Sequence, residues 1–316
     1  MVLFPRYNAR SQLKSTTNPM KSSLLNPLIL SAFLLSPLHA DSSFDNTDKF
    51  AWSANTGWIS LRHDRPSSPE GVLFGEAYLS GFAYAANTGW INFGDGTPSN
   101  GHTYSNLSND HGVNHDGAGN LSGYAWSANT GWINFGWATT SDVNRPRVNL
   151  STGEFSGYAW GANTGWVNLG TGKLTAQSMH CPDSDNDGIA DHWEQAHFGN
   201  LTTVNATSDH DGDGASDVAE YAANTDPDDN ASYLKITSQT YNAGLTQVTL
   251  VFTSNENRRY RIEYSEDLNI TDPWANSSHG TFSPDSGNTT TKTVTFTATA
   301  ETQYFFRAVA VRPLSP

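Results

Sequence analysis

The sequence predicts a mainly β protein built from three dissimilar parts, and three observations predict it. A twelve-residue aromatic phrase recurs four times between Asp48 and Gly170. Two acidic loops of identical spacing follow, between Asp183 and Glu220. After Ser232 the chain becomes a succession of short β-branched and aromatic segments. The expected organisation is a leader at residues 1–40, a Trp-rich β-hairpin repeat domain at 41–175, a small loop-helix unit at 176–232 and a β-sandwich at 233–316.

The leader is read from charge and hydropathy. The first forty residues hold no acid and four bases, Arg6, Arg10, Lys14 and Lys21. The apolar run L-L-N-P-L-I-L-S-A-F-L-L and then S-P-L-H-A follow. This is the pattern of a secretory signal peptide cleaved after Ala40. The run is too short for a comfortable membrane span. Met20-Lys21 would make a more ordinary start than Met1. The C-terminal end shows no apolar tail, sortase motif or lipid signal. The expected location is secreted, extracellular or cell-surface, with the periplasm also open.

Without the leader, 13 basic residues stand against 31 acidic ones, a net charge of −18. Such a chain repels nucleic acid and anionic membranes, so neither a nucleic-acid partner nor membrane insertion is expected. The single cysteine, Cys181, cannot make an internal disulfide and is expected as a half-buried thiol beside the first acidic loop. Outside the loops Asn, Ser, Thr and Gly dominate, as in β-rich extracellular proteins.

The four copies read F-A-W-S-A-N-T-G-W-I-S-L from Phe50, F-A-Y-A-A-N-T-G-W-I-N-F from Phe82, Y-A-W-S-A-N-T-G-W-I-N-F from Tyr124 and Y-A-W-G-A-N-T-G-W-V-N-L from Tyr158. Each reads as a β-hairpin. The first arm alternates aromatic and small residues, A-N-T-G is turn chemistry, and the return arm puts Trp and Asn on one face and Ile and Phe on the other. One hairpin cannot bury its apolar face alone, so the copies must pack together as a solenoid, a propeller-like array or a sandwich. The Trp residues have two readings. The preferred one is a stacked core ladder, because a period-locked aromatic usually holds a repeat stack together. The other is a carbohydrate-binding face, which requires exposed rings. The phrase resembles Trp-rich repeats of bacterial surface proteins, which implies a location rather than an activity. The spacer histidines His102, His111 and His115, near Asp110 and Asp116, fit no zinc spacing and read as a polar loop.

The acidic loops are D-S-D-N-D-G-I-A-D-H-W-E and D-H-D-G-D-G-A-S-D-V-A-E. Carboxylates at positions 1, 3, 5, 9 and 12 with Gly at 6 are the pattern of an EF-hand calcium loop. Ca²⁺ is a hard ion that takes about six to eight oxygens, and the spacing supplies them as the chain curls round it. The expected ligands are Asp183, Asp185, Asp187, the Ile189 carbonyl, Asp191 and Glu194, then Asp209, Asp211, Asp213, the Ala215 carbonyl, Asp217 and Glu220. Gly188 and Gly214 make the sharp turns. No amphipathic helix precedes Asp183. Helices are expected only on the exit sides, over Ile189–Phe198 and Ala215–Ala223, with Trp193, Phe198, Val218 and Tyr221 packing between them. The residues C-P-D-S-D-N-D-G-I-A-D and T-D-P resemble dockerin modules and thrombospondin type 3 repeats over Cys181–Ser232. The resemblance implies structural calcium. Dockerin loops usually end in Asp and follow another segment spacing, so cohesin binding is not carried over.

The C-terminal segments, among them Gln247–Phe252 and Tyr260–Tyr264, suggest about six strands of an Ig-like or fibronectin-III-like sandwich. R-Y-R-I-E-Y-S-E-D-L, Trp274 and Y-F-F-R-A-V resemble a small sandwich found beside calcium loops in secreted bacterial proteins.

The functional expectation is a secreted calcium-binding surface or matrix protein with a structural or adhesive role. Calcium would stiffen the joint between the two β domains. The alternative is a lectin-like protein that uses the Trp repeats, and the partner is an extracellular polysaccharide or a surface protein. An enzyme is not expected, since G-x-S-x-G, H-E-x-x-H and phosphate-loop motifs are absent. A polysaccharide-acting carboxylate pair among Glu76, Glu154 and Glu263 is the remaining enzymatic reading.

Overall fold

The computed structural model describes residues 42–63, 71–244, 246–266, 274–276, 280–295 and 304–315. The expected signal peptide lies outside them. The described chain is mainly β, with a β-barrel, further sheets and two short helices.

Each aromatic phrase forms a hairpin. The four are β1 (Phe44–Ser53) with β2 (Gly57–Ser60), β4 (Leu79–Ala85) with β5 (Gly89–Gly94), β7 (Leu121–Ser127) with β8 (Gly131–Asn134), and β11 (Tyr158–Gly161) with β12 (Gly165–Asn168). The spacers add β3 (Val72–Phe74), β6 (Val113–His115), the pair β9 (Arg147–Val148) and β10 (Phe155–Ser156), and β13 (Leu174–Ala176). The turn Gly of each phrase lies in the left-handed region, at φ between 69° and 79°. It closes a three-residue loop, as Ser53 pairing with Gly57 shows.

The hairpins join side by side. β2 pairs with β4, β5 with β7, β8 with β11, and β12 returns to β1 through Trp52 opposite Asn168. The result is a closed ring of eight antiparallel strands. The solenoid, propeller and sandwich expectations give way to a barrel, because closure removes both free sheet edges at once.

An eight-stranded barrel has an interior only just wide enough for side chains. Small and large residues alternate round it. Ala51, Ala83, Ala125 and Ala159 on the first arms face Ile59, Ile91, Ile133 and Val167 on the return arms, and all eight are buried. Leu61, Phe93, Phe135 and Leu169 form the next layer. Phe44, Phe74 and Phe155 plug the end away from the hairpin turns, with ring centroids 5.3 and 5.6 Å apart. His115 completes the plug. It is fully buried and bonded through Nδ1 to the Gly75 carbonyl and through Nε2 to the Gly119 N–H. At the other end, Asn87, Asn129 and Asn163 donate to the carbonyls of Thr56, Thr88 and Thr130 in the preceding turn. These bonds tie each turn to the one before it, while the expected Trp core ladder does not form.

Beyond the barrel come α1 (Asp191–Phe198) and α2 (Asp217–Ala223), capped by left-handed Gly199 and Asn224. Ile189, Trp193, Val204 and Tyr221 form their core, with Cys181, Phe198 and Val218 packed against it. The remaining strands are β14 (Ile236–Tyr241), β15 (Gln247–Thr253), β16 (Arg259–Ser265), β17 (Ala275–Asn276), β18 (Thr289–Thr295) and β19 (Phe305–Val311). They make two three-stranded sheets, β14-β15-β18 and β17-β16-β19, which share a core that includes Leu250, Phe252, Tyr260 and Ile262.

Candidate metal centres and an exposed aromatic belt

The two acidic loops share most of their hydrogen-bond pattern. In the first, Asp183 accepts from the N–H groups of Asp187 and Gly188 at 3.2 and 3.0 Å. In the second, Asp209 accepts from those of Gly212 and Gly214 at 2.9 and 3.0 Å. Gly188 and Gly214 both sit near φ 95°, a conformation that disfavours any Cβ. Position 5 accepts from position 7 in each loop, as Asp187 does from Ile189 and Asp213 from Ala215. The N–H of position 9 closes each loop onto the residue before it, Asp191 onto Pro182 and Asp217 onto Ser208.

This curl gathers the expected carboxylates. Ligand atoms of Asp183, Asp185 and Asp187 lie within 4.8 Å of one another, as do those of Asp209, Asp211 and Asp213. The first turn of each exit helix supplies the buried Glu194 and Glu220. Asp187, Glu194, Asp211, Asp213, Asp217 and Glu220 all carry buried oxygens that accept no hydrogen bond. Buried carboxylate oxygens without donors are costly unless a cation satisfies them, so the donor set fits Ca²⁺. Bound calcium would supply positive charge and fix the loop geometry.

The electrostatics agree. Burial, and then repulsion from Asp185, Asp187, Asp191 and Asp183, pushes the Glu194 carboxyl up to about 7. Glu220 is pushed up to about 7 by burial and by Asp211, Asp213 and Asp217, although Thr225 donates to it and opposes the shift. Asp185 and Asp211 are raised for the same reasons.

One expected ligand behaves differently. Asp191 accepts from the Ser184 N–H and hydroxyl at 2.7 and 2.6 Å, so both its oxygens brace the loop rather than face its centre. Its counterpart Asp217 makes only the backbone contact, from His210 at 3.3 Å, and keeps its second oxygen unpartnered. A third group was not foreseen. His197, Asp226 and Asp228 converge within 4.8 Å, brought together by the turn after α2. The spacer histidines do not assemble into a metal group among the described residues. His115 is in the barrel plug, while the His111 ring packs 4.6 Å from Trp132.

The Trp expectation is overturned. Trp52, Trp58, Tyr84, Trp90, Trp126, Trp132, Trp160 and Trp166 all point outward, from 40% exposed at Tyr84 to 54% at Trp58. Alternation forces this arrangement. With the Ala and Ile positions turned inward, their neighbours must face solvent. The outer wall therefore carries paired aromatics, Trp52 opposite Trp58, Tyr84 opposite Trp90, Trp126 opposite Trp132 and Trp160 opposite Trp166.

The three parts meet at a buried junction that sequence reasoning missed. Glu76, in the loop between β3 and β4, pairs with Arg258 at 2.7 Å and lies 3.7 Å from His192 of α1. Tyr221 of α2 donates to Glu76 at 3.4 Å and accepts from Arg312. Arg258 also donates to the Ala222 and Tyr221 carbonyls at 2.9 and 3.2 Å. Burial opposes ionisation of Glu76, but Arg258, His192 and Arg312 hold its carboxyl below the ordinary range. Glu263 is likewise held low by Arg261 and Arg307 against its burial.

A family model described as bacterial TSP3 repeat matches residues 183–199 and 209–229. These are the two acidic loops with their exit helices and the turn after α2. TSP3 repeats bind calcium, in keeping with the Asp-rich clusters there. No curated protein and no solved structure matches the chain.

Proposed function

We propose that this chain is an extracellular, calcium-stabilised adhesion protein whose barrel binds carbohydrate on its outer wall. The observation that carries the reading is the belt of exposed aromatic pairs, repeated round a closed barrel. Large rings left in water are costly, and a contiguous exposed patch of them marks an interaction surface. The outward positions between them are Ser60, Asn92, Asn134 and Asn168, so the belt combines flat apolar faces with neutral hydrogen-bonding groups. That pairing suits sugar rings, which have an apolar face and a hydroxyl rim.

Calcium supports the surface indirectly. Glu194 lies two residues after His192, and Glu220 lies beside Tyr221, so the metal loops share helices with two of the groups that contact Glu76. A filled pair of loops would hold the barrel, the helices and the C-terminal sheets in one arrangement. This second reading, a structural joint, rests on the Glu76 junction and is compatible with the first. Glu76 and Glu263 are assigned to structural ion pairs rather than to catalysis.

A screen of neutral and anionic glycans in calcium and in chelator tests the reading. Binding in calcium is expected. Absence of binding to any glycan, with calcium still raising Tm, would leave the structural role alone. Identical proteolysis of residues 175–232 with and without chelator would count against the joint.

A further inference from the structure

The aromatic belt is not uniform. In three of the four hairpins a spacer side chain forms a wall against the return-arm Trp. Against Trp90 that wall is His63, at 4.7 Å between ring centroids. Against Trp132 it is His111, at 4.6 Å. Against Trp166 it is Trp137, at 4.9 Å and an interplanar angle of 69°. Where the fourth repeat meets the first, Thr171 takes the place and donates to the Phe50 carbonyl at 2.8 Å. Trp137 makes the equivalent bond, from Nε1 to the Tyr158 carbonyl at 2.5 Å.

We infer that the cleft between the fourth hairpin and the spacer that precedes it is the principal sugar subsite of the barrel, and that it takes an uncharged pyranose of a polysaccharide chain. This inference rests on the carbohydrate reading above. The cleft has a volume of about 240 Å³ and is lined by Trp137, Asn144, Tyr158 and Trp166. Trp166 and Trp137 form a floor and a wall, one ring under the apolar face of a sugar and the other along its edge. The bond from Nε1 to the Tyr158 carbonyl fixes the Trp137 ring before any ligand arrives, which lowers the ordering cost of binding. Asn144 adds an amide that can donate to and accept from hydroxyls. No charged side chain lines the cleft, so an acidic sugar would lose its hydration without gaining a partner. The equivalent places at the other three hairpins carry His or Thr instead of the second indole and offer less flat surface.

The experiment measures binding of the full chain in calcium by calorimetry and by tryptophan fluorescence. The probes are cellohexaose, laminarihexaose, mannohexaose, chitohexaose and hexagalacturonate. The expected result is that at least one neutral hexasaccharide binds and the galacturonate does not. Trp137→Ala should then weaken binding by about tenfold or more, and Asn144→Ala by less. Leu107→Ala, at an exposed apolar residue outside the belt, should change it by less than about threefold. Tm of each variant shows that it is folded. Binding that survives Trp137→Ala but is lost in Trp58→Ala or Trp90→Ala would overturn the cleft assignment and leave the carbohydrate reading standing. Preference for the galacturonate would overturn the neutral-ligand assignment. No binding of any probe by the unaltered chain would sink both.

Discussion

Ile133 and Trp132 are neighbours with opposite fates, and they decide how the barrel responds to substitution. Ile133 is buried in the Ala/Ile layer, whereas Trp132 stands on the outer wall, 42% exposed. Ile133→Ala removes three carbons from a packed layer and leaves a cavity, with an expected cost of about 2–5 kcal/mol. Trp58→Ala removes a far larger side chain from a half-solvated position and should cost under about 1 kcal/mol. Urea denaturation of the two variants checks the pair, and the reverse order would return the indoles to the core. The period of two along each arm was legible from the phrase, but the inward face was not. The period-locked aromatics argued for Trp inside, and only closure into eight strands shows that the interior has no room for it. The A-N-T-G threonine is a subtler case. Thr56, Thr88, Thr130 and Thr164 all have buried hydroxyls without a protein partner at the turn end of the barrel, a polar ring suited to ordered water.

Among the elements, the loop-helix pair should show the clearest dependence on solution conditions. In the metal-free protein Glu194 and Glu220 hold their protons up to about pH 7, well above the ordinary 4.5. The folded state therefore binds more protons than the unfolded chain between those values, and metal-free stability falls as pH rises through them. Calcium reverses that trend by replacing the protons. The expected outcome is a calcium-induced rise in Tm that is large at pH 8 and shrinks toward pH 5.5, measured on protein freed of metal and then titrated with calcium chloride. At free calcium about 100-fold above Kd, each filled loop adds about 2.7 kcal/mol, and Glu194→Gln should remove most of one such increment. A calcium effect independent of pH would mean that the two carboxyls are not ligands. The loops were legible because twelve residues close on themselves and need no distant partner. What could not be read was how the loops use position 9, since whether its oxygens turn inward depends on the neighbour at position 2. Ser184 offers a hydroxyl that captures Asp191, and His210 offers none to Asp217.

For the whole molecule the Glu76 junction decides whether three cores behave as one. Its members come from a barrel loop, two helices and the C-terminal sheets, separated by up to 236 positions from Glu76 to Arg312, and no local pattern in the sequence joins them. The repeats and loops could be read part by part, while the coupling among them arises only when the folded parts meet. Arg258 is fully buried and has Glu76 as its carboxylate partner. Glu76→Ala would leave that guanidinium buried against backbone carbonyls alone, a change that typically costs about 3–5 kcal/mol. A matched replacement of both partners, Glu76→Gln with Arg258→Met, removes the pair without stranding a charge and should cost distinctly less. Scanning calorimetry in calcium adds a second readout. If the junction couples the parts, the unaltered chain melts in one transition, and Glu76→Ala splits the barrel from the helices and sheets into two. His192 and Tyr221 would also lose their shared acceptor, so calcium added to Glu76→Ala should raise the transition of the helical unit while leaving that of the barrel unmoved. A barrel transition that still follows calcium in this variant would show that the coupling runs through another contact, for which the backbone bond from His180 to Phe74 at 2.7 Å would be the next to examine.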